Sequence, residues 1–392
     1  MSTLKVDAIR HNSATSDAIT TAADGTCTAK LTSIGGGGLS HRNIIINGAM
    51  NVAQRGTSFS AVQNTFTLDR FKFKRESTAA NFTMAQSTTS PDGFSKSLKM
   101  TCTAADTSTA HNEFVMVRYN IEAQDLQSLG YGTASAKPLV LSFYVRSSLT
   151  GVYGINFLQI DNSNKIYSRT YTINSANTWE KKTISIPADT SGVINDDNGV
   201  GLQINFCLVI GSSYKGSAVS SAYESYANDK FASQHGVNFA SSTSNDWYLT
   251  GVQLETGDTA TTFEHRSFTE ELTRCYRYYR RFGANGALPT PGVYNRFCLG
   301  YSTSSSFARY AIQLDPPMRI NPADSNFGHS GSFNIQPGSL GSGTIDCDDT
   351  ACRVDLLIIR VDNASFTSGT GSGVSLHANN DATAYMDISA EL

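Results

Sequence analysis

Between Asn43 and about Arg266, apolar and polar residues alternate with a period of two, again and again, and this constrains the fold of the 392-residue chain more than any other feature. Side chains along a β-strand point to opposite faces in turn, so each such stretch reads as a strand with one face in a core. In Val200-Gly201-Leu202-Gln203-Ile204-Asn205-Phe206-Cys207-Leu208-Val209-Ile210, the residues Val200, Leu202, Ile204, Phe206, Leu208 and Ile210 share a face, and that face is expected to be core. Comparable strands are predicted over 98–103, 113–121, 139–146, 153–160, 165–173, 178–186 and 247–254. Turn sequences such as Asn162-Ser163-Asn164 and Asn195-Asp196-Asp197-Asn198-Gly199 separate them. Eight or more antiparallel strands without intervening helices predict an all-β, two-sheet sandwich of jelly-roll type.

The period changes at Ser267. Phe268, Leu272, Cys275, Tyr276, Tyr279 and Phe282 recur at helical spacing, which predicts one amphipathic linking helix over 267–283, stopped by Gly283. Ser267-Phe268-Thr269-Glu270 reads as a capping box, in which a hydroxyl and a carboxylate satisfy the first free backbone donors. Glu270 and Glu271 at the start, and Arg274, Arg277, Arg280 and Arg281 toward the end, complement the helix dipole. The stripe Phe268, Leu272, Tyr276, Tyr279 and Phe282 then serves either a strut packed between two β domains or a seam around which copies of the chain associate. Arg side chains stacked on Tyr rings across a packed interface are expected here, rather than rings exposed for nucleic acid.

Alternation returns over 293–300, 308–314, 332–335, 353–361, 374–378 and 384–392, predicting a C-terminal β domain. The chain thus divides into an N-terminal arm with a glycine linker (1–40), the sandwich (41–266), the helix (267–283) and the C-terminal domain (284–392). Residues 1–34 are too few for a core of their own, and Gly35-Gly36-Gly37-Gly38 makes a flexible joint. The arm is expected to order against a partner, a frayed tail being the alternative.

Charged residues make up 16% of the chain, against about 25% in an average soluble protein, whereas 48 serines and 40 threonines supply 22%. Such an exterior suits an extracellular or virion surface. A net charge of −3 argues against binding a polyanion through bulk charge, so nucleic acid is not an expected partner. No stretch approaches the ~20 apolar residues that span a bilayer, and the opening residues lack the basic-then-apolar run of a secretory signal. Synthesis and assembly in a cytoplasm are expected. The seven cysteines are odd in number and scattered, and read as reduced small hydrophobes. Cys347 and Cys352 are the only close pair; the readings open to them are a disulfide or metal site and two paired strand-end thiols.

Catalytic patterns are scarce. The seven histidines (11, 41, 111, 235, 265, 329 and 377) have no metal-ligand spacing, and no Gly-x-Ser-x-Gly elbow occurs. Ser368-Gly369-Thr370-Gly371-Ser372-Gly373-Val374 lacks the Lys and helix of a phosphate loop and reads as a turn. The adjacent carboxylates Asp196-Asp197, Glu270-Glu271 and Asp348-Asp349 each have a turn or helix-start explanation, with glycan cleavage by two acids as the alternative. Trp247 is read as a core ring, a sugar-stacking platform being the alternative.

Two segments carry a resemblance. Asn43-Ile44-Ile45-Ile46-Asn47-Gly48-Ala49-Met50-Asn51-Val52-Ala53-Gln54-Arg55-Gly56-Thr57-Ser58-Phe59, followed by Thr67-Leu68-Asp69-Arg70-Phe71, resembles the opening of a β-sandwich found in tailed-phage fibre and tail proteins. Asp246-Trp247-Tyr248-Leu249-Thr250-Gly251-Val252-Gln253-Leu254-Glu255, running on to Phe263-Glu264-His265-Arg266-Ser267-Phe268, resembles its closing strand and exit. That module is similar to the galactose-binding-like jelly rolls of carbohydrate-binding modules. The resemblance implies a non-enzymatic virion fibre protein, a homotrimer joined to other tail, neck or capsid proteins by its N-terminus. Host-surface glycan or another receptor would be met by the C-terminal domain, on the loops 300–307, 324–345 and 362–373. It also implies that a structural calcium ion can be held by loop oxygens, although no ligand set stands out. A structural connector or decoration protein, and a glycan depolymerase, are the competing readings.

Overall fold

The computed structural model describes residues 6–10, 15, 17–24, 27–29, 42–60, 63, 64, 66–161, 164–283, 296–366, 371–378, 381 and 383–392. The glycine linker, His11, His41 and residues 367–370 lie outside them. Three short strands, Ala8–Ile9, Ile19–Thr21 and Cys27–Ala29, form an antiparallel meander in the N-terminal segment.

The sandwich has two six-stranded sheets. The front sheet runs, in spatial order, Glu224–Ser225, Lys165–Ile173, Gly151–Gln159, Val200–Ile210, Phe114–Glu122 and Phe71–Glu76. The back sheet runs Glu180–Ile186, Leu139–Ser147, Asp246–Thr256, Ser97–Ala104, Asn81–Ser87 and Ser58–Ser60. All pairings are antiparallel, as the alternation predicts for a jelly-roll-like all-β fold. Between the sheets lies one large core, in which Phe71, Phe73, Tyr119, Phe143, Tyr153, Phe157, Phe206 and Trp247 are buried. Trp247 is therefore a core ring. The strand Val200–Ile210 departs from the simple alternation. Leu202, Ile204 and Phe206 face the core, but register shifts after Val200 and Cys207 turn Ile210 to the opposite face, into a second cluster. Such bulges insert a residue and re-aim everything beyond it.

The two motifs that carry the resemblance meet in space as a clasp. The closing strand bulges between Thr250 and Gln253, with Gly251 in the left-handed region at φ 61°. The freed backbone of Val252 then docks the opening motif: Val252 N donates to Gly48 O (3.0 Å) and Asn43 Nδ2 donates to Val252 O (3.1 Å). A Cβ on Gly48 would sit 2.1 Å from Val252 O, so only glycine fits. Arg266 completes the clasp by donating to Asn43 O, Ile45 O and Glu271, whose carboxylate also accepts from Asn47 N.

The α-helix spans Phe268–Tyr276 and is capped by Ser267, whose hydroxyl accepts from Glu270 N at 3.2 Å. The expected helix over 267–283 is thus too long. Tyr279–Gly283 is a strand, paired with Tyr385–Ser389 near the end of the chain. The physical reason is tertiary. Aromatic residues suit a pleated, half-buried surface as well as a helix, and a free strand edge and two arginines are there to take them. Tyr278 is covered by Arg70 (3.4 Å from guanidinium carbon to ring centre) and Tyr279 by Arg55 (3.5 Å). Phe282 turns toward the C-terminal core, while Phe268 is 57% exposed and Leu272 and Tyr276 are half-buried. The five stripe residues therefore do not form one helical face, and the symmetry-axis seam built on that face falls with it. Arg-Tyr stacking is present, within the chain.

The C-terminal unit stacks the three strands Tyr279–Gly283, Tyr385–Ser389 and Phe327–Ser330 near a six-stranded sheet. That sheet runs Phe333–Gln336, Gly373–Ala378, Arg296–Ser302, Ala308–Gln313, Leu356–Asp362 and Thr344–Cys347. Tyr310, Leu357, Ile359, Leu376, Met386 and Ile388 are among its core residues. A polar joint ties this unit to the sandwich. The fully buried Glu122 accepts from Arg277 Nε (2.9 Å) and Tyr278 Oη (2.8 Å), and Arg70 pairs with Glu391 at 2.6 Å.

Candidate functional site

The outward positions of the front sheet hold polar residues inside otherwise apolar strands, and the strand register lines them up. Lys72 lies opposite Arg118, Arg118 opposite Asn205, and Asn205 opposite Asn156, giving one row across four strands. Hydrogen bonds run along it. Arg118 Nε donates to Asn205 Oδ1 (2.7 Å), Asn205 Nδ2 to Asn156 Oδ1 (2.8 Å), and Asn156 Nδ2 to Phe231 O (2.7 Å). Each amide is oriented by the next, so the guanidinium is held in place before any ligand arrives.

The segment 211–238 folds over one half of this face as a roof. Its apolar underside, Phe231 and Ala232, packs on Met116, Leu158, Ile166, Cys207 and Ile210. His235 pins it down, accepting from Gly154 N at 3.0 Å through Nδ1 and meeting Val237 O at 2.7 Å through Nε2. Burial lowers the pKa of His235 to about 4, so it is neutral at physiological pH, as an acceptor at Nδ1 requires. Gly236 N donates to Val152 O (2.9 Å) and Tyr226 N to Asn164 O (2.9 Å), stitching the roof to strand ends on both sides.

Where the roof stops, a cleft of about 360 Å³ remains open. Its aromatic wall is Phe114, Tyr214, Phe231 and Tyr226, with Phe114 and Tyr214 edge to face at 5.6 Å. Tyr226 is 36% exposed. Lys74, Arg118, Gln203 and Asn164 supply the polar side. Gln203 is buried and, among the described residues, its Oε1 has no hydrogen-bond partner, an orphan acceptor of the kind that buried amides rarely leave. Burial holds the pKa of the half-buried Arg118 down to about 10, and burial also lowers that of Lys74. Arg118 remains cationic at neutral pH. The cleft therefore combines aromatic faces, hydroxyl-matching amides and fixed positive charge, within the size range of small-ligand sites.

None of these cleft residues was singled out from the sequence. The available signal was the phase: Gln203 and Asn205, Arg118 and Asn120, and Asn156 are polar insertions at alternate positions of otherwise apolar strands. The predicted contact segments lie elsewhere. Residues 324–345 are mostly strand rather than loop, with Phe327–Ser330, Phe333–Gln336 and Gly338–Ser339 inside them. Parts of the three segments do converge: Ala364 N donates to Ser306 O, Phe366 N to Ser305 O, and Gly338–Ser339 pairs with Ser365–Phe366.

The adjacent carboxylates are engaged in local structure. Asp197 accepts from Gly199 N, Glu271 holds the clasp, Glu270 pairs with Arg274, and Asp348 pairs with Arg309 at 2.7 Å. Cys347 and Cys352 are buried thiols with sulfurs 3.0 Å apart. Among the described residues no three His, Cys, Asp or Glu side chains form a group that could hold a metal ion.

No protein-family model and no curated protein matches the sequence. Solved structures do show similarity. The enzymatically active domain of tailspike protein 4 from bacteriophage CBA120 matches at 13% identity and TM-score 0.30, over 58% of this chain but only 24% of that one. A family 11 carbohydrate-binding module of a Clostridium thermocellum cellulosomal cellulase matches at 10% identity and TM-score 0.27, over 54% of this chain and 99% of the module. A protein from Bacteroides thetaiotaomicron described as a candidate sugar-binding protein matches at 11% identity and TM-score 0.32, over 55% of this chain and all of its own. Likenesses this remote carry no argument about what this chain binds.

Proposed function

We propose that the chain is a non-enzymatic saccharide-binding component of a phage fibre or tail, with the front-sheet cleft as its sugar site. The observation that supports this most is the coincidence, in one cleft, of a half-exposed Tyr226, an aromatic wall and the orphan acceptor of Gln203. A sugar ring has an apolar face of C–H groups and a rim of hydroxyls. Aromatic side chains suit the first and buried amides the second. Placement on a virion rests on the resemblance of the opening and closing motifs, which implies an N-terminal attachment and a trimeric body.

The test is a glycan array probed with the full chain and with Tyr226→Ala. The reading expects discrete saccharide hits that weaken at least about tenfold, or ~1.4 kcal/mol, in the variant. Hits that survive Tyr226→Ala unchanged, or no hits at all, would sink it.

A second reading puts receptor contact at the C-terminal end where Ser305, Ser306, Gly338, Ser339 and Ser365 converge. Deleting everything after Gly283 is a poor test, because strand Tyr279–Gly283 would lose its partner strand. Ser305→Lys combined with Ser339→Lys keeps the fold and alters that end alone; loss of host adsorption in this variant, with the cleft intact, favours the second reading.

A further inference from the structure

We infer that the cleft selects an anionic saccharide, a sugar carrying a carboxylate, which Arg118 receives. The inference rests on the saccharide reading above and adds the ligand's charge.

The argument starts from how Arg118 is partnered. Elsewhere in the molecule, arginines on packed surfaces either meet carboxylates, as Arg70 meets Glu391, Arg277 meets Glu122, Arg266 meets Glu271 and Arg309 meets Asp348, or give their terminal nitrogens to backbone carbonyls, as Arg280 does to Pro316 O and Arg319 to Asn198 O. Arg118 meets an amide and a thioether instead. Its Nε donates to Asn205 Oδ1 at 2.7 Å and one terminal nitrogen lies 3.9 Å from Met116 Sδ. Among the described residues, no carboxylate oxygen lies within 4.0 Å of Arg118 or Lys74.

Taking a charge partly out of water without a counter-charge costs free energy, and an arriving anion returns it. The surroundings add to that preference. Lys72, which donates to Leu392 O (3.2 Å), stands opposite Arg118, and Lys74, which donates to Asn64 Oδ1 (2.8 Å), lies two residues further along the same strand, so three cations share one end of the face. Among the described residues, the nearby acidic groups are Glu76 on the strand of Lys74, Glu224, which is paired with Lys230 in the roof, Glu391, which is taken by Arg70, and Leu392 at the end of the sequence, whose backbone oxygen is taken by Lys72 and Asn120. None is placed to neutralise the guanidinium. The relay through Asn205 and Asn156 fixes Arg118 by its Nε and leaves its terminal nitrogens for the ligand, the geometry that suits an incoming carboxylate. The orphan Gln203 acceptor is left for a ring hydroxyl.

The experiment is calorimetry of the full chain with oligogalacturonate and with its methyl ester, which keeps the sugar rings and removes the charge. The acid form is expected to bind roughly ten- to hundredfold more tightly, the worth of one charge-assisted hydrogen bond, and to weaken as salt rises. Two variants address the residue. Arg118→Gln removes the cation, and Asn205→Asp supplies an internal carboxylate where the amide stood. Both should abolish the preference for the acid form, and their melting curves report that the fold persists. Equal affinity of the wild-type chain for acid and ester overturns this inference and leaves the saccharide reading in place. A preference that survives in folded Arg118→Gln and Asn205→Asp overturns the assignment to Arg118. Binding to neither oligosaccharide overturns the inference outright; the glycan array with Tyr226→Ala then decides separately whether the cleft takes sugars.

Discussion

The outer face of the front sheet and that of the C-terminal six-stranded sheet are built from the same alternating pattern, yet they hold their charges differently. On the C-terminal face Leu299 and Tyr301 are 63% and 51% exposed, and with Ala311 and Ile358 they line an apolar groove of about 290 Å³. Its arginines are neutralised within the chain, Arg309 by Asp348 (2.7 Å) and Arg360 by Asp362 (2.8 Å). On the front face Arg118 rests on an amide, a roof narrows the surface to a cleft, and Gln203 keeps an unused acceptor. The difference teaches that exposure alone does not make a site. What marks the front face, and what the proposed saccharide site rests on, is hydrogen-bonding capacity and charge left unspent and fixed in place by neighbours.

The comparison can be broken hardest from beneath. Trp247, wholly buried against Phe206, supports the sandwich core under the cleft. Trp247→Ala should cost ~3–5 kcal/mol in denaturant unfolding, the usual price of truncating a large core ring. Next comes the roof. Burial by the roof, with Lys215 nearby, depresses the pKa of His235 from 6.5 to about 4. Because the folded value lies below the unfolded one, stability is whole above pH 6.5 and is lost as the pH falls toward 4. The linkage amounts to up to ~3 kcal/mol. His235→Gln should flatten that part of the pH–stability curve; a variant curve parallel to wild type would contradict the pinning role.

Two milder variants sharpen the contrast from the C-terminal side. Asp348→Asn removes the charge that the buried Asp348 gives Arg309, at a cost of about 1.5–3 kcal/mol. It should gain no affinity for oligogalacturonate in calorimetry, since an unpaired arginine without aromatic wall and amides is not a sugar site. Leu299→Ser, at an exposed position, should change stability by no more than about 0.5 kcal/mol in thermal melts and leave saccharide binding unchanged.

Much of the fold is legible in the sequence because period-two alternation has one physical meaning. The strands predicted over 98–103, 139–146 and 165–173 appear as Ser97–Ala104, Leu139–Ser147 and Lys165–Ile173. The segment after Tyr276 is misread because Tyr, Arg and Phe at spacings of three fit a helix until a partner strand and two arginines compete for them. Phe71–Glu76 was not foreseen as a strand, since its outward Lys72 and Lys74 hide the alternation under charge. The cleft was invisible for a related reason. Its row of Lys72, Arg118, Asn205 and Asn156 comes from four separate strands, and only cross-strand register brings them side by side.

The most direct measurement is a crystal structure of the full chain soaked with oligogalacturonate. The account predicts a sugar ring against Tyr226 with its carboxylate on the Arg118 guanidinium and a hydroxyl on Gln203. Sugar bound only on the C-terminal unit, over the Leu299 face or at the Ser305 end, with the front cleft empty, would contradict it.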